Sequence, residues 1–203
     1  LAYMEARTFH FLMNVLIPVA IASLITVIVD ELSEATLSKI RGHWAEYSLW
    51  PHGALSMIVT GILLNSPFAA PGRTLYAKGY PSREKARLVV YKFMFFLSLA
   101  GGFAAAYTAG FEVLGDSGLL TTLTVLFYSL FPVKPLPGYE LAVEKKAVWL
   151  LTFSIAGVFY FGWLAHSVDF GVYAAIGGLS LAFLAADILA TKILKKGLVE
   201  RLV

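Results

Sequence analysis

The sequence contains no cysteine, and its charged residues are few. The lack of cysteine excludes disulfides, cysteine-ligated zinc and thiol catalysis. Only 14% of the 203 residues are Asp, Glu, Lys or Arg, whereas soluble domains carry about 25%. Hydrophobic residues make up 59% of the chain, and the mean hydropathy is +0.76. This composition predicts an integral membrane protein, because a chain of this length cannot bury that much apolar surface in a soluble core.

Apolar runs long enough to cross about 30 Å of hydrocarbon recur along the whole chain. They predict an all-α polytopic membrane protein with a single domain over 1–203 and about six transmembrane helices. The first helix should continue through polar sequence to about Gly42, and the run at 119–131 is short for a full crossing. Turn residues around 71–82 predict a short hairpin or irregular loop after the second helix. The expected crossings are 9–29, 52–69, 88–113, 119–131, 147–166 and 172–194.

Basic residues concentrate in loops that six crossings would place on one side of the membrane. The positive-inside rule assigns that side to the cytoplasm, so both termini are expected to be cytoplasmic in a multi-pass protein of the cell membrane. The net charge is only +3, and there is no phosphate-binding motif, so nucleic acid is not an expected partner. The basic residues are Arg73, Lys78, Arg83, Lys85, Arg87, Lys134, Lys145 and Lys146, with Lys195, Lys196 and Arg201 in the tail.

Two short segments carry the most chemical information. Asp30, Glu31 and Glu34 stand at the end of the first apolar run, and positions 30 and 34 share one face of a helix. A proline-rich break at 131–138 follows the fourth apolar run. Carboxylates at the membrane boundary suit an oxygen-ligated cation or a proton relay. They also suit an ordinary turn neutralised by Lys39, Arg41 or a partner protein.

Both segments stand where the site-2 protease family of intramembrane zinc metalloproteases has its signature. That family reads His-Glu-x-x-His on one helix, followed later by an Asn-x-x-Pro-x-Pro-x-Leu-Asp-Gly-like segment. The chain resembles archaeal members over about 20–140, which implies a site-2-protease-like core with additional helices at about 147–166 and 172–194. The further matching residues are Gly42, Trp44-Ala45-Glu46-Tyr47, Trp50-Pro51-His52-Gly53, Ala69-Ala70-Pro71-Gly72 and Ser82-Arg83-Glu84.

The departures from this signature remove the zinc ligands. Asp30 and Glu34 stand where the family has its two histidines, and Pro137 stands where it has its ligand Asp. Glu31 keeps the position of the base, while Ser129 replaces an Asn and Gly138 matches the glycine of the motif. Zinc proteolysis needs two neutral imidazoles, a third ligand and a Glu base. The resemblance therefore implies a pseudoprotease, and no metal, cofactor or catalytic residue is expected.

Three functional hypotheses follow. The first is an inactive, structural or accessory subunit of a larger membrane complex, with other integral membrane proteins and membrane lipids as partners. The second is an ion- or proton-handling protein that uses Asp30, Glu31 and Glu34. The third is a regulatory binder that holds transmembrane clients in a retained cleft.

Three expectations concern packing. Lys92 should extend outward from the end of its helix. Asp187 should be paired or interfacial. The glycine pairs at 101–102 and 177–178 should allow the helices that carry them to approach a neighbour closely, because glycine has no side chain.

Overall fold

The computed structural model describes residues 9, 11–40, 44–53, 55, 59 and 72–194, apart from the side chains at 31, 40, 73 and 190–194. A π-helical turn leads into α1, and two strands precede five further named helices. The bounds are Leu12–Leu16 for the turn, then α1 (Ile17–Ile40), β1 (Ala45–Leu49), β2 (Gly72–Tyr76), α2 (Ser82–Thr108), α3 (Glu112–Ser129), α4 (Pro137–Glu144), α5 (Lys146–Leu164) and α6 (Phe170–Leu194).

The expectation of a helical membrane protein is confirmed. Four helical segments in the described part of the chain are long and apolar enough to cross a membrane, namely Leu12–Lys39, Ser82–Thr108, Lys146–Leu164 and Phe170–Leu189. The first helix runs through the polar sequence after residue 29, as expected, because nothing between 19 and 40 breaks a helix. The predicted crossing at 52–69 lies outside the described residues, except for helical backbone at 52, 53, 55 and 59.

The prediction for the third and fourth apolar runs is wrong about where one helix ends and the next begins. The predicted helix to residue 113 stops at Thr108, and the chain reverses at Gly110, which has a φ of 95°. α3 then begins at Glu112, several residues before the apolar run. A Cβ on Gly115 would lie 2.5 Å from the backbone of Tyr107. Glycine there lets α3 fold back against α2.

α3 is the centre of the helical core. It packs against α1, α2 and α5, and most of its residues from 115 onward are buried. The hydroxyl groups of Thr26 on α1 and Thr122 on α3 form a buried hydrogen bond of 3.1 Å. α3 can therefore carry Thr side chains where a lipid-facing helix would carry apolar ones.

The expected hairpin at 71–82 forms differently from the prediction. β2 pairs in antiparallel fashion with β1, which comes from the Trp-Ala-Glu-Tyr motif more than twenty residues earlier. Ala45 lies opposite Tyr76, and Leu49 lies opposite Gly72. The side chain of Tyr47 covers Gly72, where a Cβ would lie 1.9 Å from it. The sheet thus joins the two ends of a segment that was expected to cross the membrane.

This pairing changes the expected path of the chain. Opposite residues of paired strands lie about 5 Å apart, whereas the ends of a single crossing lie about 30 Å apart. The sheet holds Leu49 next to Gly72, so the two ends of the segment between the strands lie together. The C-terminal end of α1 and the N-terminal end of α2 therefore lie close to one another. A hydrogen bond of 3.1 Å from Ser38 to Tyr80 places them together as well.

Among the described helices, α2 and α6 form the most extensive pair, and they meet at glycine. A Cβ on Gly101 would lie 2.5 Å from the Cα of Gly177, while Gly102 and Gly178 face open space. The expected close approach is confirmed for one glycine of each pair. Towards the other end of this interface, the hydroxyl group of Tyr91 donates a hydrogen bond to the buried carboxylate of Asp187. The expectation that Asp187 is paired is confirmed.

The two neighbouring glycines of α2 provide a matched test of this packing. We expect Gly101→Val to destabilise the protein by about 1–3 kcal/mol or more, because the new side chain meets the backbone of α6. Gly102→Val should change stability little, because a side chain at 102 meets nothing. Thermal unfolding in detergent measures both. Equal losses in the two variants would show that close contact at Gly101 is not what holds the helices together.

Candidate functional site

A cavity of about 510 Å³ lies beside the sheet, where the end of α1 meets the first half of α2. β2 and the turn after it form one wall, and the segment from Ser129 to Glu140 forms another. Asp30, Glu34 and Lys92 also line the cavity, and we call these most buried of its charged residues its floor. The cavity therefore collects residues from four parts of the chain that are far apart in sequence.

The central feature of the cavity is an ion triad between α1 and α2. The Nζ of Lys92 lies 2.6 Å from Oδ1 of Asp30 and 3.2 Å from Oε1 of Glu34. The exposed fractions of these side chains are 7% for Lys92, 14% for Asp30 and 4% for Glu34. The two acids face α2 together because they stand one helical turn apart. A single ammonium group thus bridges both carboxylates in a largely buried place.

The expectation that Lys92 extends outward is wrong. Its side chain is buried, and its Nζ also lies 5.9 Å from the ring centre of Phe96. A buried ammonium group requires compensating charge, and Asp30 with Glu34 provides it. Lys39 and Arg41 were expected to neutralise these acids, but Lys92 forms the ion pairs with them instead. Lys39 is exposed, and residue 41 lies outside the described residues.

Glu34 has a second partner from the sheet. The hydroxyl group of Tyr76 donates a hydrogen bond of 3.0 Å to Oε2 of Glu34. Burial raises the pKa of Tyr76 well above its ordinary value, and the negative charge of Glu34 raises it further. Tyr76 therefore stays protonated and remains a donor at any physiological pH. Both oxygens of Glu34 are thus engaged, one by Lys92 and the other by Tyr76.

The outer part of the cavity carries a second group of charges. Lys85 and Glu140 form an ion pair of 3.5 Å, with exposed fractions of 23% and 33%. The Nζ of Lys85 also lies 5.3 Å from the ring centre of Tyr76. Lys134 is exposed, and its Nζ lies 4.8 Å from the ring centre of Tyr139. Lysine thus predominates at the rim, and carboxylate predominates at the floor.

The structure brings four of the six predicted site positions to this cavity. Asp30, Glu34, Ser129 and Pro137 all line it. Ser129 donates a hydrogen bond of 2.9 Å to the backbone oxygen of Leu126. Gly138 is buried beside the cavity, where a Cβ would lie 2.1 Å from the backbone oxygen of Leu130. The side chain of Glu31 lies outside the described residues.

Sequence reasoning missed the roles of Lys92 and Tyr76. A lone lysine within an apolar helix was the one available signal for Lys92, since such a charge needs a partner. Tyr76 gave no comparable signal, because its position depends on the pairing of β2 with β1. Within the described part of the chain, no group of three or more His, Cys, Asp or Glu side chains is placed to hold a metal ion.

Comparison of the chain with protein-family models, with curated proteins and with solved structures found no match. No function is therefore inherited from a relative. The ion triad and the cavity beside it are the features from which a function can be inferred.

Proposed function

We propose that this chain is a catalytically inactive member of the site-2 protease family that acts as a structural or accessory subunit of a larger membrane protein complex. The observation that carries the proposal is the ion triad of Asp30, Glu34 and Lys92. At the two positions where the family has metal-binding histidines, this chain has carboxylates, and its own lysine supplies the positive charge between them.

The triad suits a structural role. It connects α1 to α2 through two short ion pairs, and Tyr76 connects the same carboxylate to the sheet. Removal of one partner from a buried ion pair of this kind strongly destabilises the folded protein. They also favour one packing arrangement over others in some proteins. The triad therefore favours a fixed arrangement of α1, α2 and the sheet.

α1 offers surface for a partner within the membrane. In the most apolar stretch of the helical segment Leu12–Lys39, only 11% is buried within the chain, against 67% in the corresponding stretch of α2. Large apolar side chains, among them Ile21, Leu24 and Ile28, are about half exposed. Lipid or another transmembrane helix can cover such a face. An accessory subunit would use it to contact a second membrane protein.

The proposal includes five crossings rather than six, formed by α1, α2, α3, α5 and α6. α3 has 18 residues, which corresponds to about 27 Å and approaches the thickness of the hydrocarbon core. The N-terminal end of α1 then lies across the membrane from the sheet. Lys78, Lys85 and Lys134 lie on the sheet side with the cavity. The positive-inside rule assigns that side to the cytoplasm.

Gentle extraction from native membranes followed by native mass spectrometry tests the proposed role. We expect a particle that contains this chain and other membrane proteins in fixed stoichiometry. The association should survive mild detergent, because close packing between helices, rather than exclusion from water, holds transmembrane helices together. Recovery of the chain alone from native membranes, with no stable partner, would contradict the proposal.

A second candidate is an ion- or proton-handling protein that uses Asp30, Glu31 and Glu34. It is favoured by the continuous polar path from Lys92 through Glu34 to Tyr76 and the cavity. Asp30→Asn and Glu34→Gln distinguish the two functions. Loss of ion binding or transport with the assembly intact would favour this second candidate. Unchanged ion flux in reconstituted vesicles would contradict it.

The third candidate, a regulatory binder of transmembrane clients, is favoured by the cavity itself. Ser129 lines it, so a photo-crosslinker at position 129 should capture a transmembrane segment of a client. The absence of a discrete crosslinked product in native membranes would contradict this candidate.

A further inference from the structure

We infer that the cavity binds a zwitterionic lipid headgroup that combines a primary ammonium and a phosphate, as in phosphatidylethanolamine, with the ammonium against Asp30 and Glu34 and the phosphate near Lys85 and Lys134. This inference is independent of the proposed accessory role. It rests on the distribution of charge in the cavity, on the depth of each charged group and on the position of the cavity along the helices.

The floor of the cavity has an excess of negative charge. Asp30 and Glu34 supply two carboxylates, and Lys92 supplies one ammonium group between them. One formal negative charge is therefore left in a place with little water, where an unbalanced charge is costly. A second ammonium group would balance it. A primary amine suits this floor better than a quaternary amine, because it can donate hydrogen bonds to carboxylates.

The rim of the cavity has the opposite excess. Lys85 and Lys134 supply two positive charges, and Glu140 supplies one negative charge. One formal positive charge is left at the more exposed level, which suits a phosphodiester with one negative charge. The formal charges of the residues that line the cavity sum to zero, and the formal charges of the ligand also sum to zero. A ligand with only an anionic group would find no partner for the floor.

The cavity lies at the level that lipid headgroups occupy. Asp30 directly follows the apolar run of α1, and β2, a strand outside the membrane helices, lines the same cavity. Lys85 and Lys134 belong to the basic segments that flank the membrane. Such segments are attracted to phosphate-bearing lipid surfaces. A lipid headgroup therefore reaches this cavity without leaving the membrane, which favours a lipid over a soluble amine.

Binding can be measured on the full chain after removal of its native lipid. Phosphatidylethanolamine, phosphatidylcholine and phosphatidylglycerol with the same acyl chains are added in turn, and native mass spectrometry counts the lipids retained. We expect phosphatidylethanolamine to bind about tenfold more tightly than either of the others, a factor that one charge-assisted hydrogen bond supplies. Equal retention of all three lipids would overturn the inference.

Charge variants locate the binding. Asp30→Asn should remove the preference for the ammonium headgroup, and Lys134→Gln should weaken retention of phosphatidylethanolamine several-fold. Asp116→Asn and Lys145→Gln are matched controls, because both residues are exposed and neither lines the cavity. Since Lys134 is exposed, its variant should fold even if Asp30→Asn does not. Variants that behave like their controls would overturn the inference.

Soluble phosphoethanolamine identifies the source of the ligand. If it displaces the lipid at low concentration, the headgroup chemistry is supported, and the cavity accepts the headgroup in free form. If it does not compete while the variants still act, a membrane-anchored ligand is supported. Both outcomes use the isolated chain, so neither depends on the native partners that test the accessory role.

Discussion

Glu46→Cys is expected to react with a membrane-impermeant thiol reagent from the same side of the membrane as Lys78→Cys. Both side chains are exposed; Glu46 lies within β1, and Lys78 follows β2, the strand paired with it. A six-crossing topology places a complete membrane passage between them and predicts opposite sides. The sheet requires the same side, because hydrogen-bonded strands cannot be separated by the thickness of the bilayer. The effect is all-or-none.

The chain is well suited to this measurement because it has no cysteine of its own, so unmodified protein gives no background. Asp116→Cys and Asp169→Cys serve as opposite-side controls, since Asp116 lies near the start of α3, just after the reversal from α2, and Asp169 lies in the turn between α5 and α6. Sealed vesicles of known orientation, before and after permeabilisation, report the side. If position 46 is labelled from the same side as positions 116 and 169, and position 78 from the other side, the prediction that both strands lie on one side of the membrane is wrong.

Lys92→Met is expected to destabilise the protein by about 3–5 kcal/mol, the range for removal of one partner of a buried ion pair. The variant keeps an unbranched side chain of similar length, so packing changes little. It leaves Asp30 and Glu34 buried together without their shared ammonium group. Lys145→Met is the matched control, because Lys145 is exposed and does not line the cavity. Thermal unfolding in detergent compares the two.

A compensated variant shows whether charge is the cause. Asp30→Asn and Glu34→Gln combined with Lys92→Met remove all three charges, and the glutamine keeps an acceptor for the hydroxyl group of Tyr76. Most of the lost stability should return, because replacement of a complete buried ion set is often neutral. A triple variant as unstable as Lys92→Met would show that the lysine acts through its packing rather than through its charge.

The amino-acid sequence alone determined the class of protein and most of its helices. Apolar runs with few charges predict membrane helices whatever their partners, because the cost of exposing a polar backbone in lipid is local. The polar extension of α1 to residue 40 and the start of α2 at Ser82 followed from local signals in the same way. Asp30 and Glu34 stood out because charges at a membrane boundary are costly wherever they occur.

Only the tertiary structure decided which residues satisfy those charges and where the chain turns back. Lys92 and Tyr76 meet Glu34 through contacts that span more than forty residues, and no periodicity within one helix contains that information. The pairing of β1 with β2 is likewise a choice between distant strands, and it determines that both ends of 50–71 lie together. A charge can be recognised as costly from its own neighbours in sequence, but its partner is determined by packing.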